Sequence, residues 1–363
     1  MSLFKACCLL FMFSTNIITR SQNTSSPGCY KSGGNLSPGT STETIRGRSY
    51  LLSIPFSYSS DTPTPLILSF HGGGQSPSIQ LHADQLTNPN VNDHYIVIYP
   101  EAVDKQWQVS PDSASNDLIF VSNILDEVEA TLCIDTSRTY ATGKSQGGGM
   151  VGLLACDQSL STRIAAFAPV SGAFYVMPEG GCEPDSVDLP CSAGRSDIPI
   201  LEFHGGSDPV IPYYGDAGKR NACLPTIPHW VQTWAKRNDL GTSNKSTSIT
   251  QAAMWHRFGT GPSLGLVSHV YDGANVGHVW PATKHNARDT GDLSTASFNA
   301  TPMILEFFSN YTLATNHSDP AETDGNSGST NGSTNDNSGL CAGNRKVAIF
   351  WWFMGYYIVQ SLI

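Results

Sequence analysis

The fold of this chain is decided by the stretch RTYATGKSQGGGM at residues 138–150. Its first half is rich in β-branched and aromatic residues, which favours a strand, and the apolar residues that continue to Cys156 favour a helix. Gly143 and Gly147 stand two residues on either side of Ser145, where a side chain would crowd a sharp turn. Such a turn holds the serine hydroxyl clear of the sheet in a strained backbone. The stretch therefore predicts strand, turn and helix, with Ser145 as a candidate nucleophile.

The pattern around this turn predicts an α/β-hydrolase fold. From Tyr50 onward, apolar segments of strand length alternate with helical stretches, which indicates a mostly parallel twisted sheet with helices on both faces of a single catalytic domain. The strand candidates are residues 50–54, 66–70, 95–99, 139–142, 164–168, 200–204 and 266–271. One helix is expected to begin near Asp117, with an apolar stripe of Phe120, Ile124, Leu125, Val128 and Leu132. Another buries Trp230 and Trp234 in the core, and the last covers residues 302–311.

A serine hydroxyl needs a base, and the base needs a carboxylate that orients it. In the α/β-hydrolase order the acid comes next, and an apolar strand runs into a tight loop that presents Asp208. Glu202 lies within that strand, and Asp272 precedes the histidine too closely to approach it from another strand end. His278 follows the last predicted strand through a glycine-bearing loop, which places it at the C-terminal edge of the sheet. The predicted triad is Ser145, Asp208 and His278.

A second glycine-rich loop, HGGG at residues 71–74, follows the strand candidate 66–70. Such a loop leaves backbone N–H groups bare beside whatever docks above the sheet, and a helix N-terminus beside the nucleophile does the same. The predicted oxyanion donors are the N–H groups of Gly73, Gly74 and Gln146. His71 and His204 end strands beside this site and could line it.

Composition and motifs limit the class of protein. The net charge is -10 and the pI is near 5.4, which argues against nucleic acid or an anionic membrane surface as a partner. The sequence has no H-E-x-x-H metal motif, no paired C-x-x-C spacing and no G-x-G-x-x-G dinucleotide loop. We therefore expect a soluble enzyme that acts on neutral material with neither metal nor cofactor.

The first residues and the cysteines indicate an oxidising compartment. Residues 1–21 form a predicted signal peptide, since Lys5 precedes a short apolar run and a polar exit. Six cysteines between Cys29 and Cys223 predict three disulfides, whose pairing stays open, although Cys182 and Cys191 could close a local loop. Seven Asn-x-Ser/Thr sequences fit a secreted glycoprotein and begin at Asn23, Asn35, Asn244, Asn299, Asn310, Asn316 and Asn331.

The C-terminal part differs in composition from the esterase domain predicted at residues 22–312. Residues 313–339 are rich in Ser, Thr, Asn and Gly and predict a disordered linker. Residues 340–363 end in an apolar run with no charge after it, and small residues near Asn337 precede it by a short spacer, which is typical of a cleaved GPI-attachment signal. A retained tail anchor and a fortuitous C-terminus are the alternatives. We expect an extracellular protein that is attached to the cell surface.

Several motifs together go beyond the generic fold. They are LLSIP at 51–55, HGGG at 71–74, CID at 133–135, GKSQGGGM at 143–150, LAC at 154–156, FHGGSD at 203–208 and GHVWP at 277–281. With Cys29 near the mature start, they resemble the fungal secreted feruloyl esterases of types C and D, in carbohydrate esterase family one, and the related polyhydroxybutyrate-depolymerase-like esterases. The resemblance covers about Cys29 to Tyr311. It implies hydrolysis of feruloyl esters on the arabinoxylan of plant cell walls by Ser145, Asp208 and His278.

The sequence leaves alternatives for the acyl group that is cleaved and for the residues that contact the substrate. Trp107 and Trp280 are candidates to stack on a flat hydroxycinnamoyl ring, with His71 as a third contact, although both tryptophans could equally be packing. The same triad would serve an acetylxylan esterase or a polyhydroxybutyrate depolymerase. A catalytically silent cell-surface binding protein is the alternative from a different class. A serine peptidase of this fold would need a propeller or lid domain that the sequence does not show.

Overall fold

The computed structural model describes residues 24–31, 37–273, 275–285 and 294–313. The chain divides into the units Met1–Asn316 and His317–Ile363, and all described residues lie in the first unit. The predicted signal peptide, the linker from residue 314 onward and the attachment signal lie outside the described residues. Within the described ranges, no helix has both the length and the apolar character that crossing a membrane requires.

Ten strands of the described chain form one sheet, in the order β1-β2-β4-β3-β5-β6-β7-β10-β9-β8. The strands are β1 (Gly39–Ile45), β2 (Arg48–Ile54), β3 (Thr64–Phe70), β4 (Ile96–Pro100), β5 (Ile134–Lys144), β6 (Ala166–Val170), β7 (Ile200–Gly205), β8 (Asn244–Ser248), β9 (Ala253–Phe258) and β10 (Val267–Asp272). The six central strands run parallel, and in sheet order they are β4, β3, β5, β6, β7 and β10. The strands at the two edges pair antiparallel. The C-terminal ends of the central strands therefore meet at one edge, where α/β folds place their functional loops.

Each of the seven predicted strands overlaps one observed strand, and the α/β-hydrolase prediction is confirmed. The sequence did not predict β1, β8 or β9. All seven residues of β3 are buried, whereas β1 and β8 are mostly exposed and β9 is only partly buried. Hydrophobic periodicity reports burial, so an exposed polar edge strand leaves little signal in the sequence.

In the part of the chain that the structure describes, five α-helices cover both faces of the sheet. They are α1 (Pro77–Asp84), α2 (Asp117–Thr131), α3 (Gln146–Cys156), α4 (Ile227–Arg237) and α5 (Ala300–Ser309). The α2 helix begins where the sequence predicts it, because the Asn116 side chain accepts the N–H of Ile119 and caps the first turn. The predicted stripe of α2 lies in one core with α3 and with Trp230 and Trp234 of α4. The helices α1 and α5 pack in the second core, on the opposite face.

The described residues contain three disulfides, as predicted, but the proposed local pair is wrong. The bonds join Cys29 to Cys133, Cys156 to Cys191, and Cys182 to Cys223. Cys191 lies at the C-terminal end of α3, where the Ser192 N–H donates to the Cys156 carbonyl at 3.1 Å. Cys223 instead lies in a bridge with Val176, which brings it to the loop that carries Cys182. Nearness in sequence was a poor guide because each partner is fixed by backbone pairing with a distant segment.

Candidate active site

Ser145 lies at the sharp turn between β5 and α3, where the sequence predicts it. Its φ of 61° and ψ of -123° lie in a region that residues other than glycine rarely adopt, at a cost of about 1–3 kcal/mol. The turn is closely packed: a Cβ added to Gly143 would lie 2.8 Å from the Gly147 carbonyl carbon, and one added to Gly147 would lie 2.1 Å from the Phe70 oxygen. Glycine is therefore required at both positions.

Asp208 and His278 meet at the C-terminal ends of two neighbouring strands, β7 and β10. His278 Nδ1 donates to Asp208 Oδ2 at 2.7 Å. The other oxygen, Oδ1, accepts the backbone N–H groups of Val210 and Ile211, both at 2.8 Å. These two bonds fix the carboxylate in place, and the first bond assigns the ring proton to Nδ1. Nε2 is consequently the basic nitrogen of His278.

The protonation states of this pair suit a base at neutral pH. Burial lowers the pKa of His278, although Asp208 pulls it upward, and the charges of Lys144 and His204 lower it further. Burial raises the pKa of Asp208, but the hydrogen bond and charge of His278, with the charge of His204, outweigh burial and hold that pKa below its usual range. Asp208 is thus an ionised acceptor, and His278 is a neutral imidazole that can take a proton.

The two competing acids have other partners. Glu202 is completely buried, with Oε1 2.9 Å from His204 Nδ1 and Oε2 2.7 Å from His269 Nδ1. Asp272 Oδ2 accepts the N–H and the hydroxyl of Ser297 at 2.8 and 3.0 Å. The geometry therefore favours Asp208. Among the described residues, no group of three or more His, Cys, Asp or Glu side chains is arranged to hold a metal ion.

Ser145 and His278 line one cavity of about 600 Å³, a volume in the range of small-molecule sites. The loop after β3 contributes Gly72 and Gly73 to one wall, and the loop after β7 contributes residues 207, 209 and 210 to another. Sequence reasoning missed further lining residues, which are Gln75, Lys144, Val210, Asn275 and Ser294. Lys144, Gln75 and Val210 could have been found as near neighbours of Ser145, of the HGGG loop and of Asp208, whereas Asn275 and Ser294 belong to no motif.

Two of the three predicted oxyanion donors fit the role. Gln146 begins α3, and the first N–H groups of a helix have no partner within it. Gly73 lies directly against Gln146, since an added Cβ would come 2.5 Å from the Gln146 side chain. Gly74 does not fit, because its N–H already donates to the Lys105 carbonyl at 2.8 Å. Gly74 therefore holds the loop in place and leaves Gly73 and Gln146 as the candidate donors.

The predictions that His71 and Trp107 contact the substrate are wrong. Trp107 is 0% exposed, and its Nε1 donates to the His71 carbonyl at 2.7 Å while its ring packs edge-on against Phe70. His71 is equally buried, with Nδ1 2.8 Å from the Gly72 oxygen and Nε2 accepting the Ala102 N–H at 3.2 Å. Burial lowers the pKa of His71 to about 4, so its ring stays neutral. Both side chains support the glycine loop from beneath.

Trp280 also faces away from the nucleophile, in contrast to its predicted role. It is 3% exposed, and its Nε1 donates to the Thr301 hydroxyl at 2.9 Å in the core beneath α5. Trp280 lines a different cavity of about 560 Å³. A residue two positions after His278 therefore stands on the other side of the loop and packs against the protein rather than against a ligand in the first cavity.

Comparison with known proteins reveals a group of fungal relatives, although no family model matches the chain. The chain is 29% identical over 252 residues to the probable feruloyl esterase C of Aspergillus niger, covering 66% of this chain and 86% of that protein. It is 31% identical over 200 residues to feruloyl esterase D of Neurospora crassa, covering 51% of this chain and 62% of that protein. The solved acetyl xylan esterase from Aspergillus awamori covers 75% of this chain and 99% of its own, with a TM-score of 0.50 and 15% identity. That likeness concerns the fold alone.

Proposed function

Because this chain belongs with the fungal feruloyl esterases of types C and D, we propose that it is a serine carboxylic ester hydrolase that releases ferulic acid from the arabinoxylan of plant cell walls. Its partner is then a plant cell-wall polysaccharide, and its place of action is extracellular, which suits three disulfides. The observation that carries the proposal is that Ser145 and His278 line one cavity while His278 Nδ1 bonds Asp208 at 2.7 Å.

The first half of the reaction forms an acyl-enzyme. Ser145 Oγ attacks the ester carbonyl carbon, and His278 Nε2 takes the hydroxyl proton. The positive charge that develops on His278 is stabilised by the ionised Asp208 beside Nδ1. The N–H groups of Gln146 and Gly73 receive the oxyanion, a contribution worth about 3 kcal/mol for each donor. His278 then gives its proton to the departing sugar oxygen as the carbon–oxygen bond breaks.

The second half of the reaction reverses these roles with water. His278 Nε2 takes a proton from a water molecule, whose oxygen attacks the acyl carbon. The same two N–H groups hold the second oxyanion. Collapse of this intermediate breaks the bond to Ser145 Oγ, which regains its proton from His278, and the free acid leaves. Every proton is accounted for by His278, so the cycle ends with the side chains in their starting states.

The nucleophile is tested by the change Ser145→Ala. We expect the loss of more than about a thousandfold of activity on methyl ferulate with an unaltered unfolding temperature, because the hydroxyl that forms the acyl-enzyme is gone. Fluorophosphonate should label Ser145 of the unmodified protein. The matched control is Ser41→Ala on the exposed strand β1, which should keep full activity. Activity of the Ser145→Ala variant above this level would assign the nucleophile to another residue. Absence of both turnover and labelling in the unmodified protein would favour a catalytically silent binding protein.

The acyl group is tested on three substrates. The kcat/KM for methyl ferulate should exceed that for matched acetyl and hydroxybutyrate esters, and feruloylated arabinoxylan should release ferulic acid. A higher kcat/KM for the acetyl ester would move the substrate to acetylated xylan, and a higher value for the hydroxybutyrate ester would favour a polyester. Either result would leave the serine esterase chemistry standing and change only the substrate.

We also propose that cleavage near Asn337 leaves the enzyme tethered to the outer cell surface by a GPI lipid. The small residues near Asn337, the short spacer after them and the apolar residues 347–363 have the composition of a cleaved GPI-attachment signal, which would follow the catalytic domain at residues 22–312 and the polar residues 313–339. Phosphatidylinositol-specific phospholipase C should release the enzyme from intact cells, and deletion of residues 347–363 should send it to the medium. Secreted protein that still carries Ile363 would contradict the proposal.

A further inference from the structure

A row of buried ionisable groups leads from the cavity into the sheet. His278 Nδ1 lies 2.7 Å from Asp208, Asp208 Oδ2 lies 3.5 Å from His204 Nε2, and His204 Nδ1 lies 2.9 Å from Glu202 Oε1. None of the four residues is more than 7% exposed. The mechanism above uses the first two members and gives no role to His204 or Glu202.

The sheet explains why these side chains meet. Glu202 and His204 stand two positions apart on β7, so they project from the same face of the strand. His269 is opposite Glu202 in the register of β7 and β10, and its Nδ1 lies 2.7 Å from the second oxygen of Glu202 at an ion-pair separation. Asp208 follows β7 in the loop and turns back over His204. The row is therefore built by two strands and one tight loop.

The partners of His204 require two ring protons. Nδ1 faces the Glu202 carboxylate, and Nε2 faces the Ile211 carbonyl at 2.8 Å with Asp208 Oδ2 beyond it. All of these atoms are acceptors, and a neutral imidazole with one N–H would turn a lone pair toward one of them. An imidazolium satisfies both sides. Glu202 Oε1 is hydrogen-bonded to His204, and Oε2 lies 2.7 Å from His269 Nδ1 at an ion-pair separation, which suits the ionised carboxylate.

The charges along the row agree with this geometry. Burial lowers the pKa of His204, but the charge and hydrogen bond of Glu202, with the charge of Asp208, more than compensate and raise it. Burial raises the pKa of Glu202, and the charge of His204 outweighs that effect and lowers it. Two carboxylates can stay ionised in the interior because one cation lies between them.

We propose that His204 is a positioning residue that stays protonated in the resting enzyme and holds Asp208 ionised and aligned on His278. This inference rests on the proposed function, in which Asp208 and His278 act as acid and base. During the reaction His278 gains a proton, and the charges along the row are then negative on Glu202 and Asp208 and positive on His204 and His278. His204 itself touches neither substrate nor nucleophile, so its effect reaches the reaction through Asp208.

The positive charge of His204 has a second effect that makes it measurable. It repels a proton on His278, as does the charge of Lys144. Loss of the charge should therefore raise the pH below which His278 is protonated and inactive. The other titratable groups around His204 belong to β7, β10 and the loop after β7, and they are Glu202, Asp208, Tyr213, His269, Tyr271 and His278.

The first experiment reads the proton directly on the unmodified enzyme. Nitrogen-15 NMR of histidine-labelled protein at pH 7 should show protonation at both ring nitrogens of His204 and only at Nδ1 of His278, with His204→Gln as the assignment control. A neutral His204 tautomer at pH 7 in active enzyme would overturn the inference and leave the esterase mechanism intact. If esterase activity instead persisted in Ser145→Ala, the proposed function would fail, while the protonation of His204 would be unaffected by that result.

The second experiment measures the pH profile of variants after titration of active sites with fluorophosphonate. His204→Gln should lower kcat about 10-fold to 100-fold with KM unchanged, and should move the acid limb of kcat/KM upward by about one pH unit. Glu202→Gln combined with His204→Gln removes both charges and should return the limb toward its original position. The matched control is His82→Gln on α1, which should leave both quantities unchanged. An activity loss with no shift of the limb would mean a merely structural role and overturn the inference.

Discussion

Two buried aspartates differ in their surroundings, one in the loop after β7 and the other at the end of α1. Asp208 lies beside the cavity and accepts two backbone N–H groups and His278. Asp84, at the end of α1, is 0% exposed and also has a full set of donors. These are the Ser69 hydroxyl at 2.6 Å, the Leu86 N–H at 2.9 Å, the Tyr99 hydroxyl at 3.0 Å and the Gln80 amide at 3.3 Å.

The two carboxyl groups nevertheless ionise differently. Burial raises the pKa of Asp84 to about 7, although all four of its donors pull the other way. Burial also raises the pKa of Asp208, but histidines on two sides bring that pKa below its ordinary value. The sign of the partner, rather than the number of hydrogen bonds, decides whether a buried aspartate is an anion at neutral pH. Asp208 can therefore serve catalysis, whereas Asp84 makes stability depend on pH.

The largest expected effect concerns the charge of Asp208. Asp208→Asn keeps the size of the side chain but removes the negative charge and favours the wrong tautomer of His278, so kcat should fall by about 10⁴-fold with little change in KM. Steady-state kinetics on methyl ferulate measure both quantities. The matched control is Asp272→Asn, since the described hydrogen bonds of the Asp272 carboxylate are to the N–H and hydroxyl of Ser297 rather than to a histidine. If Asp272→Asn were the more damaging change, the role of the acid would belong to Asp272.

The next effect concerns stability and pH at Asp84. The folded pKa near 7 is higher than the unfolded value near 3.9, so the folded state binds the proton more tightly between these values. The contribution of Asp84 to the free energy of unfolding should therefore be greatest below pH 4 and fall by up to about 4 kcal/mol as the pH rises from about 4 to about 7. Asp84→Asn should remove this contribution. Urea unfolding of both proteins at several pH values measures the difference.

Asparagine fits the Asp84 site, which makes that variant informative. The Gln80 amide oxygen is buried without a hydrogen-bond partner, so a flip of this amide would let it accept the new N–H group. Activity should not change, because Asp84 lies in the core on the α1 side of the sheet. A difference in unfolding free energy that stayed constant from pH 4 to pH 8 would show that Asp84 titrates normally and would remove the contrast with Asp208.

The smallest effect concerns one donor of Asp84. Tyr99→Phe removes a hydrogen bond to Asp84 Oδ1, and such a bond is worth more to an ionised carboxylate than to a neutral one. The variant should lose about 1–2 kcal/mol of unfolding free energy at pH 8 and less at pH 5. Equal losses at the two pH values would contradict an ionisation of Asp84 near neutral pH. Tyr140→Phe, with its hydroxyl on the Tyr311 carbonyl rather than on a carboxylate, is the matched control.

The strands illustrate how far local patterns reach. Six of the seven predicted strands are buried central strands, which read as apolar runs, and the seventh, β2, shows the alternation of a half-buried strand. The α2 stripe was predicted from its helical periodicity and is buried. The strands β1 and β8 were missed, since they are held by backbone hydrogen bonds to a neighbour and expose most of their side chains. Backbone pairing of this kind leaves no mark on the order of residue types.

The residues of the site also divide into those that local patterns predict and those that they do not. Ser145 could be placed from the glycines at positions 143 and 147, and Asp208 and His278 from the rule that parallel strands end at one edge. The substrate roles of His71, Trp107 and Trp280 could not be judged, because a strand end or a loop does not reveal which way a ring turns. The structure turns all three into the core.

The amino-acid sequence by itself determined the strand-turn-helix around Ser145, the class of fold and the number of disulfides, because each depends on residue types that are near in the chain or on their total. The tertiary structure alone decided which cysteines pair, which rings reach the cavity and which carboxylate keeps its charge. Glu202 and His269 are far apart in sequence yet 2.7 Å apart in space, since β7 and β10 are neighbours in the sheet. A pKa is set by such neighbours through distances of a few ångströms, and these distances exist only once the strands have packed.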